Sequence, residues 1–201
     1  MSSAPVIDYY FAPQSPWTYL GHERFAGIAQ AAGAQIRVMP IDLGGRVFPV
    51  SGGLPVARRA PQRQAYRLLE LQRFASWLNL PIHLQPRYFP VQGDDAAHLI
   101  TAVDMLDGTA AAMQLTGAIL KACWAEELNV ADEPTLALLL QRCGLSSQRL
   151  EDGHRQDVQE RYEACTEQAV RSGVFGAPSY VVDGEIFWGQ DRLDFLERRL
   201  K

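Results

Sequence analysis

Apolar and polar positions change their period along this chain, and each change marks an element. Val6 to Ala12 (VIDYYFA) is a dense run of β-branched and aromatic residues, and Gln35 to Ile41 (QIRVMPI) alternates, as strands do. Between them Trp17, Leu20, Phe25, Ile28 and Ala32 recur at a helical period, and Gly33 stands where a C′ glycine belongs. Strand, helix and strand in this order predict a parallel pair with a right-handed crossover.

From Leu43 to Pro61 the pattern gives way to Gly, Pro and Arg (LGGRVFPVSGGLPVARRAP), predicting a long loop. Helical periods follow at Arg63 to Asn79, with Leu68, Leu71, Ala75 and Leu78 on one face, and at Thr109 to Leu128, Glu133 to Cys143 and Gln156 to Arg171. Strand signals return only at Ser179 to Val182 and Glu185 to Trp188. The Asp183-Gly184 between them is the strongest short hairpin signal, and a last helix runs from Arg192 to Leu200. The order β-α-β, helices, β-β-α predicts one α/β sheet domain split by an insertion. Its halves are residues 1–43 and 173–201, the inserted helical domain is 44–172, and no strand is expected between 95 and 170.

Composition narrows the function classes. The 201 residues are 47% hydrophobic, enough for a sizeable core, and carry a net charge of -4 with no block of like charges. An electrostatic grip on nucleic acid or an anionic membrane is therefore not expected. No stretch reaches the ~20 apolar residues of a membrane span and no basic n-region opens the chain, so the expected location is cytoplasmic. Cys123, Cys143 and Cys165 form no CxxC pair and no zinc spacing, and are expected as buried thiols. No metal site is expected.

Two places could carry chemistry. In Gln14-Ser15-Pro16-Trp17-Thr18 the serine and proline are good N-cap and N1 residues, which makes Ser15 a helix cap. The same position also offers a hydroxyl donor at a helix N-terminus, which suits an anion. No Asp/His relay is readable nearby, so Ser15 is better suited to donating a hydrogen bond than to attacking an acyl group. In Gly176-Ala177-Pro178-Ser179, Pro178 opens a strand and its peptide bond can be cis or trans. Asp191, at the start of the last helix, reads equally as an ordinary N-terminal acid.

This succession of elements resembles the DsbA-like branch of the thioredoxin fold that contains 2-hydroxychromene-2-carboxylate isomerases and kappa-class glutathione transferases. The resemblance runs the whole chain. It is most specific from Tyr10-Phe11 through Ser15-Pro16-Trp17-Thr18-Tyr19-Leu20, and from Tyr66-Arg67 through Leu71-Gln72-Arg73-Phe74-Ala75. The stretch from Gly173-Val174-Phe175-Gly176-Ala177-Pro178 through Trp188-Gly189-Gln190-Asp191-Arg192-Leu193 is most similar to the isomerases.

The resemblance implies a thioredoxin-like fold with a large helical insertion and a glutathione-dependent isomerase, with a role in aromatic compound catabolism. It implies that Ser15 is catalytic and holds the glutathione sulfur as a thiolate, because Ser15-Pro16-Trp17-Thr18 stands where disulfide oxidoreductases carry CxxC. It further implies that Ala177, before a cis Pro178, pairs with the cysteinyl part of glutathione and that Gln190 and Asp191 hold its γ-glutamyl end.

The implied substrate is a small aromatic carboxylate or related electrophile, for which Arg46, Arg58 and Arg59 are candidate cations. Trp17, Phe48, Tyr88 and Phe89 are candidate walls, although Tyr88 and Phe89 read equally as packing residues. Isomerases of this type often carry Lys and Asn in the loop and Asn shortly after the Phe-Pro step. Here the loop has arginines and Phe89-Pro90 precedes Val91-Gln92-Gly93. A homodimer is the implied assembly. A kappa-like transferase or peroxidase, or a glutathione-binding module without chemistry, are the alternative readings.

Overall fold

Strand β1 (Val6–Phe11) is buried from Ile7 to Phe11, and the rest of the sheet is laid against its two edges. The computed structural model describes residues 4–201; residues 1–3, assigned above to the first half of the sheet domain, lie outside the described residues. On one edge β2 (Gln35–Pro40) runs parallel, with Val6 opposite Gln35 and Phe11 opposite Pro40. On the other edge β3 (Ser179–Val182) runs antiparallel, with Tyr10 opposite Ser179, and β4 (Glu185–Trp188) closes the order β2-β1-β3-β4. Asp183 and Gly184 both adopt positive φ, 51° and 83°, as a type I′ hairpin turn requires. The sheet is a single α/β sheet whose halves come from the two ends of the chain, as the order of sequence elements predicts.

Because strand side chains alternate, β1 feeds two cores. Ile7, Tyr9 and Phe11 point into the larger one with Tyr180 and Val182, while Tyr10 points into the smaller one with Met39, Ile41 and Val181. Tyr9 stacks on Phe11 at 4.6 Å and on Tyr180 at 5.4 Å, and leans on Phe25 at 4.5 Å. Phe25 comes from α1 (Pro16–Ala31), the crossover helix, which ends at Ala32 with Gly33 left-handed beyond it.

The stretch expected as a loop after β2 is instead a series of tight turns. Leu43–Val47 makes a π-type turn capped by the Asp42 carboxylate, which accepts from the Gly45 N–H at 2.6 Å. Its Val47 side chain is fully buried in the smaller core. A four-residue helix α2 (Phe48–Ser51) and a 3₁₀ turn (Val56–Arg58) follow. Local capping and one buried valine order a segment whose Gly and Pro content predicts irregular chain.

Helix α3 (Pro61–Leu78) leads to α4 (Asp94–Asp107), which the periodicity does not single out. Ala96, Ala97, Leu99, Ile100, Ala102 and Val103 are all buried because α4 packs on several elements at once, and a helix covered almost all round loses its amphipathic signature. Helices α5 (Thr109–Trp124), α6 (Glu133–Arg142), α7 (Arg149–Gly153) and α8 (Gln156–Arg171) complete the helical segment. No described residue between 95 and 170 is in a strand. Apolar side chains of α4, α5 and α6 share the larger core with the sheet, while Cys165 and Ala169 of α8 cover the other face. A 3₁₀ turn (Gln190–Arg192) and α9 (Leu193–Leu200) end the chain. No helix among the described residues is long and apolar enough to cross a membrane.

One buried polar link crosses the larger core. His22 of α1 lies 3.0 Å from the Met113 carbonyl through Nε2 and 3.1 Å from the Tyr9 hydroxyl through Nδ1. A carbonyl can only accept, so Nε2 carries the proton and Nδ1 accepts from Tyr9. Burial holds the His22 pKa below the usual imidazole value, with the Met113 bond and Glu23 pulling the other way. The unfolded chain therefore takes up this proton first, and the stability present above about pH 6.5 is lost as pH falls below it. Melting temperature is expected to drop between about pH 7 and pH 5. His22→Leu, which strands the Tyr9 hydroxyl and Met113 carbonyl, is expected to cost about 2–4 kcal/mol at neutral pH and to flatten that slope. A slope unchanged in the variant would assign the pH response elsewhere, beyond the smaller part expected from His98, which burial also lowers.

Candidate active site

The start of α1 sets the site. Ser15 has extended backbone angles and its hydroxyl oxygen accepts from the Thr18 N–H at 3.3 Å, while its carbonyl accepts from the Tyr19 N–H at 3.0 Å. Ser15 is therefore the N-cap, followed by Pro16 at N1. Pro16 has no N–H to offer, so these contacts leave the Trp17 N–H, the Ser15 hydroxyl proton and the buried, unpartnered Thr18 hydroxyl as the unspent donors of the first turn. Ser15 is 8% exposed, which keeps its donor largely out of bulk water.

Ala177, Pro178, Gln190 and Asp191 come to the same end of the sheet. With Tyr10 opposite Ser179 in an antiparallel pair, the beginning of β3 lies beside the end of β1, and the Ala177-Pro178 bond is cis. The Gly189 N–H donates to the Pro178 carbonyl at 2.9 Å, bringing the turn of Gln190 and Asp191 to this end too. The ladder starts only at Ser179, so the Ala177 backbone is not spent on it. Gln190 is 1% exposed, backs onto Gly21 of α1, and neither its amide nitrogen nor its amide oxygen has a partner. Asp191 is exposed and paired with the Arg192 guanidinium at 2.8 Å.

The candidate substrate residues separate. Trp17 is half-buried, edge-on to Phe74 of α3 at 6.2 Å. Phe48 lies over Gly53, and α2 is tied to the loop before Pro178 by the Ser51 hydroxyl donating to the Phe175 carbonyl at 3.4 Å. Arg46 and Arg58 are exposed, and Tyr88 stacks under the Arg87 guanidinium at 5.3 Å. Phe89, by contrast, packs on Trp124 at 4.8 Å. Arg59 is half-buried, donating from Nε to the Leu54 carbonyl at 2.8 Å.

The sequence pattern passes over Arg67. The buried face of α3 is Arg67, Leu71 and Ala75, not Leu68 with them, and the guanidinium lies 5.3 Å from the Phe89 ring centre and 5.7 Å from that of Trp124. Burial, and then the nearby Arg59, lower its pKa to about 10, which leaves it protonated at neutral pH. The signal that could have found it is its spacing: 67, 71 and 75 share one helical stripe. Trp124 joins this group to the Ser15 loop, since its Nε1–H donates to the Gln14 carbonyl at 3.2 Å.

The chain's own thiols are unsuited to nucleophilic chemistry. Burial pushes Cys123 up to about 12 and Cys165 to about 11, and Cys143, which is half-buried rather than buried as expected, is also raised. Both nitrogens of His22 are occupied, so it is no base for Ser15. Among the described residues no group of three His, Cys, Asp or Glu side chains could hold a metal.

Residues 6–201 match the DSBA-like thioredoxin domain family. The 2-hydroxychromene-2-carboxylate isomerase of Sphingobium xenophagum is 30% identical over 195 residues, covering 96% of this chain and 97% of that protein. Glutathione S-transferase kappa 1 of Caenorhabditis elegans is 34% identical over 89 residues, 44% of this chain and 38% of its own. A solved structure of a 2-hydroxychromene-2-carboxylate isomerase superposes with a TM-score of 0.81 at 26% identity, covering 97% of this chain and 94% of that one.

The thiol chemistry has a direct check. A chromogenic disulfide reagent at about pH 8 is expected to label Cys143 slowly, and Cys123 and Cys165 only once denaturant is added. Rapid labelling of either buried thiol in the native protein would show a reactive thiolate that this geometry does not provide.

Proposed function

The chain belongs to the DsbA-like thioredoxin family, and from that premise we propose that it is a glutathione-dependent isomerase of the 2-hydroxychromene-2-carboxylate type. The observation that carries the reading is the first turn of α1. A hydroxyl donor and an N–H remain unspent at a helix N-terminus, in a chain whose own thiols are held protonated. On this reading the nucleophile comes with a small molecule.

The donor set fits glutathione. Ser15 and the Trp17 N–H face a thiolate, the unspent Ala177 backbone suits its cysteinyl part, and the unpartnered Gln190 amide with Asp191 suits its γ-glutamyl end. When bound, glutathione supplies a thiolate that adds reversibly to an electrophilic carbon, frees rotation about a bond that becomes single, and leaves unchanged. Ser15 donates to the sulfur and holds it ionised. Lowering a thiol pKa of about 8.5 by two units takes about 2.7 kcal/mol. One charge-assisted hydrogen bond of roughly 1.5–3 kcal/mol and a helix terminus worth up to about 2 supply it.

A kappa-like transferase or peroxidase is the second reading, favoured by the partial likeness to the Caenorhabditis elegans protein. A glutathione-binding module without chemistry is the third. We also propose a cytoplasmic homodimer acting in aromatic compound catabolism on small carboxylates, with neither nucleic acid nor membrane as partner. Tyr66, Leu69 and Trp77, exposed along α3, give a second copy an apolar surface.

Two measurements test the reading. With a panel of aromatic carboxylate electrophiles, substrate is expected to convert while total glutathione stays constant; loss of thiol would favour the transferase, and no conversion the binding module. Ser15→Gly nearly preserves capping, within a few tenths of a kcal/mol, but lacks the hydroxyl. It is expected to raise the pKa of bound glutathione, read by thiolate absorbance, with the melt almost unmoved. Overlaid titration curves would reduce Ser15 to a cap.

A further inference from the structure

Arg67 is a buried charge that no carboxylate balances among the described residues. It is 8% exposed, its Nη2 has no hydrogen-bond partner, and the charge it feels most is the like-signed Arg59. Arginines this buried are almost always paired, because removing a guanidinium from water costs several kcal/mol unless an anion and hydrogen bonds replace the solvent. The rings of Phe89 and Trp124 recover part of this by cation–π contact and supply no anion. Folding alone would be served as well by a methionine.

The surroundings say what is missing. The indole that stacks with Arg67 is hydrogen-bonded to the carbonyl of Gln14, the residue before Ser15, and the Gln14 amide oxygen is itself buried without a partner against Gly93. The guanidinium is thus one aromatic ring away from the catalytic turn, flanked by a second arginine and lined by flat apolar rings. The geometry points to Arg67 as the anchor of an aromatic carboxylate, its planar fork taking the carboxylate while the half-buried Phe89 faces the aromatic body and the wholly buried Trp124 backs the guanidinium. Arg59 adds positive potential from the side; the exposed Arg46 and Arg58 take no part. The inference rests on the isomerase reading for the direction of the reacting carbon, but not for the binding of the anion.

The test uses 2-hydroxycinnamate and its uncharged amide as probes of wild type, Arg67→Met and Arg67→Lys, followed by thermal melts and tryptophan fluorescence without glutathione. The wild type is expected to bind the carboxylate in preference to the amide. Arg67→Met is expected to melt at the same temperature or higher without ligand, having lost a buried unpaired charge. It is expected to bind the carboxylate about 10- to 100-fold more weakly, with the amide unaffected and glutathione, titrated separately, bound as by the wild type. Arg67→Lys keeps the charge without the fork and is expected to fall between them.

Equal affinity of the wild type for carboxylate and amide overturns the assignment. So does an Arg67→Met protein that melts lower and keeps its carboxylate affinity, loses both probes alike, or loses glutathione alone. If the carboxylate binds through Arg67 while no substrate is isomerised with glutathione, the functional reading fails and the anion site stands.

Discussion

The position of the candidate site depends on the chain of hydrogen bonds from the Tyr9 hydroxyl through His22 to the Met113 carbonyl. Its members belong to β1, α1 and α5, so one imidazole fastens the central strand, the site helix and the helical segment to each other. Tyr9 is wholly buried and its hydroxyl is held un-ionised by that burial, above all other causes. Sliding α1 by a turn would strand a hydroxyl, an imidazole and a carbonyl in an apolar core, each at about 1–3 kcal/mol. The aromatic stack around Tyr9 then needs only to fill volume, since the link has already fixed the register. Ser15, two turns before His22 on the same helix, inherits that fixed position.

A common rule governs the buried thiols, phenols and the His22 imidazole: burial drives them neutral. The thiols of Cys123 and Cys165 and the phenols of Tyr9, Tyr162 and Tyr180 are raised, and His22 is lowered, with desolvation the leading cause throughout. Arg67 cannot follow the rule, because even a guanidinium lowered to about 10 stays charged at neutral pH. The contrast makes the arginine conspicuous among side chains of similar burial. It also separates the polar groups that serve the fold, which are paired or neutral, from those left over for a ligand.

What the sequence made legible follows the range of the forces involved. The hairpin is set by two residues that must take positive φ, and the crossover helix by its own cap and period, so both could be read locally. Helix α4 could not, because its apolar residues face several neighbours and only the assembled core explains them. The turns between Leu43 and Arg58 were hidden for the opposite reason: a single carboxylate cap and one buried valine order them, against a Gly and Pro background. In the site, Ser15 stood out because its role begins with helix geometry. Arg67 did not, since an arginine in a helix reads as a polar position until Phe89 and Trp124 are brought onto it from distant segments.

The two halves of the site divide its chemistry. On the sheet side lie the helix cap, the Ala177-Pro178 backbone and the Gln190 turn, backbone and neutral groups apart from the Asp191 carboxylate, and on the reading proposed these handle a thiol. On the helical side lie Arg67, Phe89 and Trp124, charged and aromatic, and on the same reading these recognise the molecule to be changed. Ser15 stands between, its oxygen committed to the helix and its proton free. Exchanging the helical wall would therefore alter which anion is accepted without disturbing how a thiolate is held. Removing the serine hydroxyl would do the reverse. Such a division suits a reaction in which the nucleophile returns unchanged, because the thiol need be stabilised only as an anion, while discrimination falls on a cation that folding has left unpaired.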